Sequence, residues 1–186
     1  MAVDEQVLLS AAVRGDLRSF EHLVRRHTPA VYRYCARMLP NRADAEDCTQ
    51  ETWLAAWRAL PGFREDAALT TWLYRIATNQ ALMMLRRRRV DVPVAELPEV
   101  SDNGAGDPAR HLQRETERAA VRAAIGRLPV QYRVPLVLRE FESLRYDEIA
   151  GVLDLGVPAV KTRLHRGRAQ LLSLLDGSSG KDSGDS

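Results

Sequence analysis

Residues 146–168 have the sequence YDEIAGVLDLGVPAVKTRLHRGR, which has the spacing of a helix-turn-helix. Apolar residues recur at helical intervals in its first part and predict a short helix: Tyr146, Ile149, Ala150 and Leu153. Asp154-Leu155-Gly156 follows as the turn. A second helix is expected from Val157 to Leu175, with Val160, Leu164 and Leu171 facing inward. This stretch predicts a helical DNA-binding unit at the C-terminal end of the chain.

The second predicted helix concentrates basic side chains, and it has no acidic residue before Asp176. Arginine forks match guanine edges in the major groove, while lysine, threonine and a helix N-terminus meet phosphates. A solvated basic helix, whose late cations complement its dipole, is the alternative. The preceding compact helix and tight turn favour DNA binding. The candidate contacts for duplex DNA are Pro158, Ala159, Lys161, Thr162, Arg163, His165, Arg166 and Arg168.

The composition of the whole chain favours an all-α protein. The 186 residues are 45% hydrophobic and 28% charged, but only 6% aromatic. Abundant Leu, Ala, Arg and Glu favour helices over sheets. The formal net charge of +2 is too small to indicate a nucleic-acid partner, so that inference depends on where the charges lie.

The cysteines and the N-terminus indicate a cytoplasmic protein. Cys35 and Cys48 are the only cysteines, and neither has the spacing of a zinc site. Asp4 and Glu5 stand where a signal peptide would carry basic residues, and no apolar run approaches membrane-spanning length. We therefore expect neither export nor membrane insertion.

The N-terminal half predicts several helices. Two consecutive helices are expected, separated at Thr28-Pro29, where Thr would be an N-cap and Pro a first helical residue. Asp44 then opens a helix that runs to about Leu60, and Pro61-Gly62 stops it. After a loop from Phe63 to Leu69, Thr70-Thr71 are candidate caps of a long helix that closes with Arg86–Arg89.

The middle of the chain differs in composition. Residues 90–108 contain acidic residues and prolines but no basic residue, which predicts a linker. Helical periodicity resumes near His111 and runs to Leu128, and Pro129 starts a further helix. The Gly/Ser-rich tail is expected to be disordered. The predicted organisation is a first domain at 1–90, a linker at 91–110, a second domain at 111–176 and a tail at 177–186.

The long helix of the first domain mixes stacking surfaces, a cation and a base-edge group in Trp72, Tyr74, Arg75 and Asn79. Single-stranded DNA is recognised by such mixtures. Trp72 is equally compatible with a place in the hydrophobic core. The run of arginines exceeds what a helix C-terminus needs, although cations are favourable there in any case.

The helix that follows Pro40 carries an outward stripe. Its inward residues are expected to be Thr49, Trp53, Ala56 and Leu60, which leaves Asp47, Gln50, Glu51, Leu54 and Arg58 outside. This stripe is either a solvated surface or a protein-docking face, and the residues alone favour the surface. Catalytic and metal-binding hypotheses are weak, because His22 and His27 lack partners at ligand spacing and no ExxH pattern supports Asp44 and Glu46. Neither an enzyme nor a cofactor or metal is expected.

Four motifs resemble the extracytoplasmic-function sigma factors of bacterial RNA polymerase: residues 44–58, the segment from Phe63 to Asn79, Leu128-Pro with Tyr146–Ala150, and Val160–Arg168. The resemblance implies a region 2 domain and a region 4 domain without the intermediate one. By analogy, the clamp coiled coil of the polymerase's largest subunit would meet Asp44, Asp47, Gln50, Glu51 and Leu54. The minus-ten element would be captured and melted by Phe63, Arg64, Trp72, Arg75, Asn79, Arg86 and Arg87.

The same resemblance implies that the helix from Val157 reads the minus-thirty-five element, that the acidic linker threads through the polymerase, and that an anti-sigma factor inhibits the chain. Arg145 stands where Ser or Thr usually caps the helix, so the sequence predicts that this cap is lost. Gly156 and Pro158-Ala159 also depart from the pattern, at the positions that lie nearest the groove. A stand-alone helix-turn-helix regulator and a protein-binding helical adaptor are the alternatives.

Overall fold

The computed structural model describes residues 4–63, 68–88 and 108–179, and within these ranges the chain is all-α, as the sequence predicts. A short 3-10 turn at Leu60–Gly62 follows the third helix. The helices are α1 (Glu5–Val13), α2 (Leu17–Met38), α3 (Arg42–Ala59), α4 (Leu69–Arg88), α5 (Pro108–Arg127), α6 (Val130–Glu140), α7 (Tyr146–Leu153) and α8 (Val157–Ser179). We refer to α1–α4 as the N-terminal unit and to α5–α8 as the C-terminal unit.

The N-terminal unit forms around α2, which contacts α1, α3 and α4. Tyr34, Met38 and Leu39 of this segment are fully buried. The Phe20 ring packs against Trp53 and Trp57 of α3, with centroid distances of 5.9 and 4.8 Å. These contacts fix α3 with one face against α2 and the opposite face toward solvent.

The predicted break at Thr28-Pro29 is wrong, because α2 is one continuous helix. Its buried side chains form an unbroken stripe on both sides of the proline: Phe20, Leu23, His27, Val31, Tyr34, Cys35 and Met38. The Thr28 hydroxyl donates a hydrogen bond back to the carbonyl of Val24 at 2.7 Å. A proline inside a helix costs about 3 kcal/mol. Burial of the continuous stripe outweighs that cost.

Two predicted helix starts also differ from the structure, whereas the predicted loss of a side-chain cap at α7 is confirmed. The cap of α3 is Asn41 rather than Asp44: the Asn41 side chain accepts from the Asp44 amide at 2.9 Å and its amide nitrogen donates to the Asp44 carboxylate at 3.2 Å. Thr70 and Thr71 lie inside the first turn of α4 rather than capping it. At α7 the missing cap is replaced, because the Glu148 carboxylate accepts from the Arg145 amide at 2.7 Å.

The C-terminal unit has the predicted helix-turn-helix. Asp154 adopts a left-handed conformation (φ 53°) between α7 and α8, and Val160 and Leu164 are buried as expected. α6 crosses α8 closely at Gly167, where a Cβ atom would lie 3.3 Å from the Tyr132 carbonyl oxygen. Glycine at this position therefore sets the spacing of the two helices.

Two boundaries of the C-terminal unit are corrected. α5 begins at Pro108, so residues 108–110 are helical and not linker, since proline is favourable at the first helical position. α8 continues to Ser179, past the expected end at Leu175 and into the tail predicted to be disordered. Gly177 does not end it, because a helical glycine costs only about 1 kcal/mol. The predictions for residues 89–107 and 180–186 fall outside the described residues.

The two units contact each other through α2 and α4 on one side and α5, α6 and α7 on the other. Arg133 of α6 is buried and donates to the carbonyls of Met38 (2.9 Å), Leu128 (3.0 Å) and Gly126. Its guanidinium thus closes the C-termini of α2 and α5 together, and burial lowers its pKa from the usual value. In the part of the chain that the structure describes, no helix is long and apolar enough to cross a membrane.

Candidate nucleic-acid interface and docking face

One surface of α4 collects most of the residues predicted to meet single-stranded DNA. Helical geometry places them at intervals of three and four residues on a single stripe. Arg75, Asn79 and Arg86 are exposed there, whereas the opposite face buries Leu73 and Ala77. The α4 stripe consists of Trp72, Arg75, Asn79, Met83 and Arg86.

Trp72 is half-buried, so it belongs neither fully to the core nor fully to the surface. Tyr74, predicted as a second stacking surface, is instead buried against the other helices. The Trp72 ring meets that of Phe63 edge to face, with centroids 5.1 Å apart and an interplanar angle of 74°. Phe63 thereby lies against the start of the α4 stripe. Arg64, predicted to act beside it, lies outside the described residues.

The arginines at the end of α4 keep their charge available. The Arg86 Nε donates to the Leu82 carbonyl at 3.2 Å, and an Arg87 nitrogen lies 3.8 Å from the Met83 sulfur. Neither arginine pairs with an acidic side chain among the residues the structure describes. Met83, which is 38% exposed, was missed by the sequence reasoning, although its position four residues after Asn79 is a usable signal.

The outward stripe of α3 is present as predicted. Asp47, Gln50 and Glu51 are exposed, and Leu54 is 50% exposed. The opposite side of α3 is buried, through the side chains of Ala45, Cys48, Thr52 and Ala56. We refer to Asp47, Gln50, Glu51 and Leu54 as the α3 face. Asp44, predicted to belong with them, is half-buried and hydrogen-bonded to Asn41, so it acts at the start of the helix.

The α3 face combines exposed acidic side chains with an apolar one. Asp47 and Glu51 are exposed, and neither forms an ion pair with any residue that the structure describes. An exposed leucine beside them supplies an apolar contact. Where this helix does form an ion pair, between Arg42 and Glu46 at 2.8 Å, the pair lies at its first turns.

The exposed part of α8 is narrower than the set predicted from sequence. The α8 face consists of the five predicted contacts that are exposed and not tied to an acid: Pro158, Lys161, Thr162, His165 and Arg166. Ala159 and Arg163 are half-buried at its edge. The Thr162 hydroxyl donates to the Pro158 carbonyl at 3.0 Å, so it can only accept from a ligand while that bond persists.

Arg168 has a different environment from the other arginines of α8. Two of its nitrogens donate to the Glu140 carboxylate of α6, at 2.6 and 3.0 Å, and this pairing raises its pKa. The arginine thus braces α8 against α6. Glu140 was not predicted, because the pair joins residues 28 positions apart.

Tyr146, at the start of α7, is a second supporting residue that the sequence reasoning assigned only to packing. Its ring lies 4.9 Å from the Arg139 guanidinium and 5.9 Å from the Lys161 ammonium. Cations over an aromatic face are attracted to it. The ring therefore holds Lys161 close to the start of α8, where a phosphate would approach.

A cavity of about 580 Å³ lies between α4 and α7, and we call this region the seam. From the N-terminal unit Trp72 and Arg75 line it, and from the C-terminal unit Arg145, Asp147 and Glu148. The Thr71 hydroxyl donates to the Glu148 carboxylate at 3.5 Å. The first part of the α4 stripe is thus opposite acidic side chains of the helix-turn-helix.

Cys35 and Cys48 are both buried thiols. A hydrogen bond with Cys35, together with burial, raises the pKa of Cys48, which disfavours its thiolate. Among the described residues there is also no group of His, Cys, Asp and Glu that would hold a metal ion.

Comparison with known proteins gives a consistent result. Residues 23–90 match the family model for sigma-70 region 2, and residues 118–171 match that for sigma-70 region 4. The chain is 38% identical to the RNA polymerase sigma-H factor of Pseudomonas aeruginosa over 88% of this chain and 90% of that protein. It is 36% identical to the ECF RNA polymerase sigma-E factor of Salmonella typhimurium, with the same coverage of both chains.

Among solved structures, the chain is similar to the sigma factor RpoE of Bartonella quintana in complex with the anti-sigma factor NepR. The TM-score is 0.71 over 86% of this chain and 98% of that one, at 20% identity. At this identity the likeness establishes a shared fold.

Proposed function

This chain belongs to the extracytoplasmic-function (ECF) sigma-factor family, and from that premise we propose which of its surfaces perform the steps of promoter-specific initiation. The chain binds core RNA polymerase and confers promoter recognition on it. The observation that carries the assignment of surfaces is their separation: an acidic face on α3, a mixed stripe on α4 and a basic face on α8. A stand-alone regulator needs only the last of these.

The α3 face is proposed as the contact with core RNA polymerase. Complementary charge across an interface steers association and fixes register. Two carboxylates that form no ion pair within the described residues suit a basic helical partner, and the half-exposed Leu54 adds an apolar contact beside them. This assignment replaces the solvated-surface interpretation that the residues alone favour.

The α4 stripe is proposed to capture the melted minus-ten element. Single-stranded bases stack on aromatic side chains while cations follow the backbone. Trp72 with Phe63 offers the stacking surface, Arg75 and Asn79 offer polar groups to a base, and Arg86 continues the positive charge along the helix. Met83 supplies an apolar contact between Asn79 and Arg86.

The α8 face is proposed to read the minus-thirty-five element in the major groove. We expect Arg166→Ala to weaken binding to this element by roughly 1–3 kcal/mol if the arginine reads a base, with relaxed preference at one position. Lys161→Ala should weaken binding uniformly across sequences and reduce its salt dependence. Arg163→Ala, at the half-buried edge, should have a smaller effect than Arg166→Ala. Competition binding with systematically altered upstream elements measures all three.

The test of the function as a whole is run-off transcription with purified core RNA polymerase on genomic promoter fragments. We expect specific transcripts only when both are present, and weak duplex binding by the free protein, because each unit offers one small surface. Nanomolar, site-specific binding of duplex DNA by the free protein would contradict the assignment and support the stand-alone regulator.

Three further properties follow from the proposal. The chain supplies recognition and the polymerase supplies the chemistry, so we expect no enzymatic activity and no cofactor. Its place of action is the cytoplasm, where bacterial polymerase works. An anti-sigma factor is a proposed partner, because the similar RpoE was solved with one. The signal that releases the chain is a property of those partners. The promoters that it selects are a property of the genome.

A further inference from the structure

The contact between the two units centres on one buried carboxylate, that of Glu142. Its side chain is 5% exposed although it belongs to the turn after α6. One carboxylate oxygen accepts from an Arg37 guanidinium nitrogen at 3.3 Å, and the other accepts from the Tyr74 hydroxyl. Both donors belong to the N-terminal unit. The ring of the preceding residue, Phe141, packs against the same guanidinium, and its centroid lies 4.5 Å from the Arg37 guanidinium carbon.

The turn that carries Glu142 directs the glutamate side chain away from the C-terminal unit. The Phe141 and Glu142 amides both donate to the Val137 carbonyl, at 3.0 and 3.3 Å, and the Leu144 amide donates to Leu138 at 3.0 Å. Ser143 is left-handed (φ 58°), a conformation that favours glycine. The backbone of this turn is therefore satisfied within the C-terminal unit, while the hydrogen bonds that the described residues give to the Glu142 carboxylate come from the other unit.

The N-terminal unit holds the two donors of this contact in place. Tyr74 is buried beside Tyr34, with ring centroids 5.4 Å apart, and the Tyr34 and Thr78 hydroxyls lie 2.6 Å from each other. Burial and the Glu142 carboxylate raise the pKa of Tyr74, so its hydroxyl remains a donor. Arg37 and Tyr74 thus present two donors to one acceptor group at a fixed position.

The closed arrangement is incompatible with reading a whole promoter. The two elements are 25 base pairs apart by their names, which is roughly 85 Å of duplex at about 3.4 Å per base pair. A compact chain of this length is only about 40 Å across. The seam also places Asp147 and Glu148 of the C-terminal unit opposite Trp72 and Arg75 of the proposed minus-ten stripe. The units must separate before both elements can be bound.

We propose that Glu142 is an intramolecular latch that holds the free chain in a closed, inactive arrangement, and that release of its carboxylate from Arg37 and Tyr74 accompanies binding to core RNA polymerase. The latch itself is inferred from the geometry of the contact. Its effect on polymerase binding rests on the proposed function. Opening also exposes apolar side chains at the contact, because the buried residues of the two units form one continuous hydrophobic cluster. The donors and the carboxylate are then hydrated, so opening exchanges protein contacts for water.

The test compares the parent with Glu142→Lys, which places a cation against Arg37, and with Tyr74→Phe, which removes one hydroxyl from the opposite side. Glu21→Lys, an exposed residue of α2, is the control for the change of charge. Small-angle X-ray scattering of the free full-length proteins reports the separation of the units. We expect both latch variants to exceed the radius of gyration of the parent, which for a compact chain of this length is about 16 Å.

The second measurement is the affinity of each variant for core RNA polymerase. If a closed state must open first, the apparent dissociation constant equals the intrinsic constant divided by the open fraction. A larger open fraction therefore tightens binding, and we expect roughly tenfold tighter binding from Glu142→Lys. Unchanged scattering from both latch variants would overturn the latch, and so would expansion with the affinity of the parent. The scattering experiment uses no polymerase, so it tests the latch independently of the proposed function. A parent protein that fails to bind the polymerase would instead overturn the proposed function.

Discussion

Reversing the two charges of the α3 face, with Asp47→Lys and Glu51→Lys, is expected to abolish stable binding to core RNA polymerase. Both side chains are exposed and unpaired among the described residues, so the helix does not depend on them. The cap of α3 is Asn41, which the substitutions leave intact. Like charges across an interface cost several kcal/mol, and about 3 kcal/mol corresponds to a loss of roughly 100-fold in affinity.

Co-purification with the polymerase and titration of a labelled chain measure this loss. Glu21→Lys with Asp176→Lys changes the net charge by the same amount at two other exposed positions and should bind like the parent. Circular dichroism checks that the helices remain. A normal polymerase complex from the folded double-lysine variant would show that α3 is an ordinary surface.

Replacing Arg75 and Asn79 together by alanine is expected to have the opposite pattern, with normal binding to core RNA polymerase and defective promoter opening. Both residues are exposed on the α4 stripe, so their loss leaves the packing of Leu73 and Ala77 unchanged. Contacts to bases are worth about 1–3 kcal/mol each, so we expect open complexes to fall at least about tenfold.

Permanganate reactivity of unpaired thymines reports the melted region directly. Thr70→Ala changes an exposed residue on the other side of the same helix and is the matched control. Parental reactivity from the double-alanine variant would remove these residues from the proposed minus-ten site. Loss of polymerase binding together with opening would assign them to docking.

The sequence predicted the helical class, the helix-turn-helix and the outward faces because these depend on local periodicity. Each apolar stripe has a period that is visible within one segment, as at Val160 and Leu164. The error at Thr28-Pro29 arose because local propensity was read without the tertiary packing that overrides it. The error at Gly177 arose because a helical glycine costs only about 1 kcal/mol and need not end a helix. The cap at Asn41 was missed because the spacing of Asp44 and Asp47 resembles a capping box, although asparagine is an equally favourable N-cap.

The Glu142 contact between the two units was beyond the reach of sequence reasoning. The partners of Glu142 lie 105 and 68 positions away, and nothing in the local pattern around Phe141 distinguishes this glutamate from an ordinary exposed one. Arg168 illustrates the converse error. Its charge suggested a DNA contact, but only the fold reveals that Glu140 already engages it.

The close crossing of α6 and α8 at Gly167 also defines how this chain can be re-engineered. The residues that set the crossing, Gly167 with Val160 and Leu164, point away from the α8 face, so the two sets are separable by position. A designer seeking a factor that serves an artificial promoter can vary the outer positions while keeping the inner ones and the Glu140–Arg168 brace. Transplanting a whole α8 from another protein would require a residue as small as glycine at the crossing, or a matching α6 brought with it.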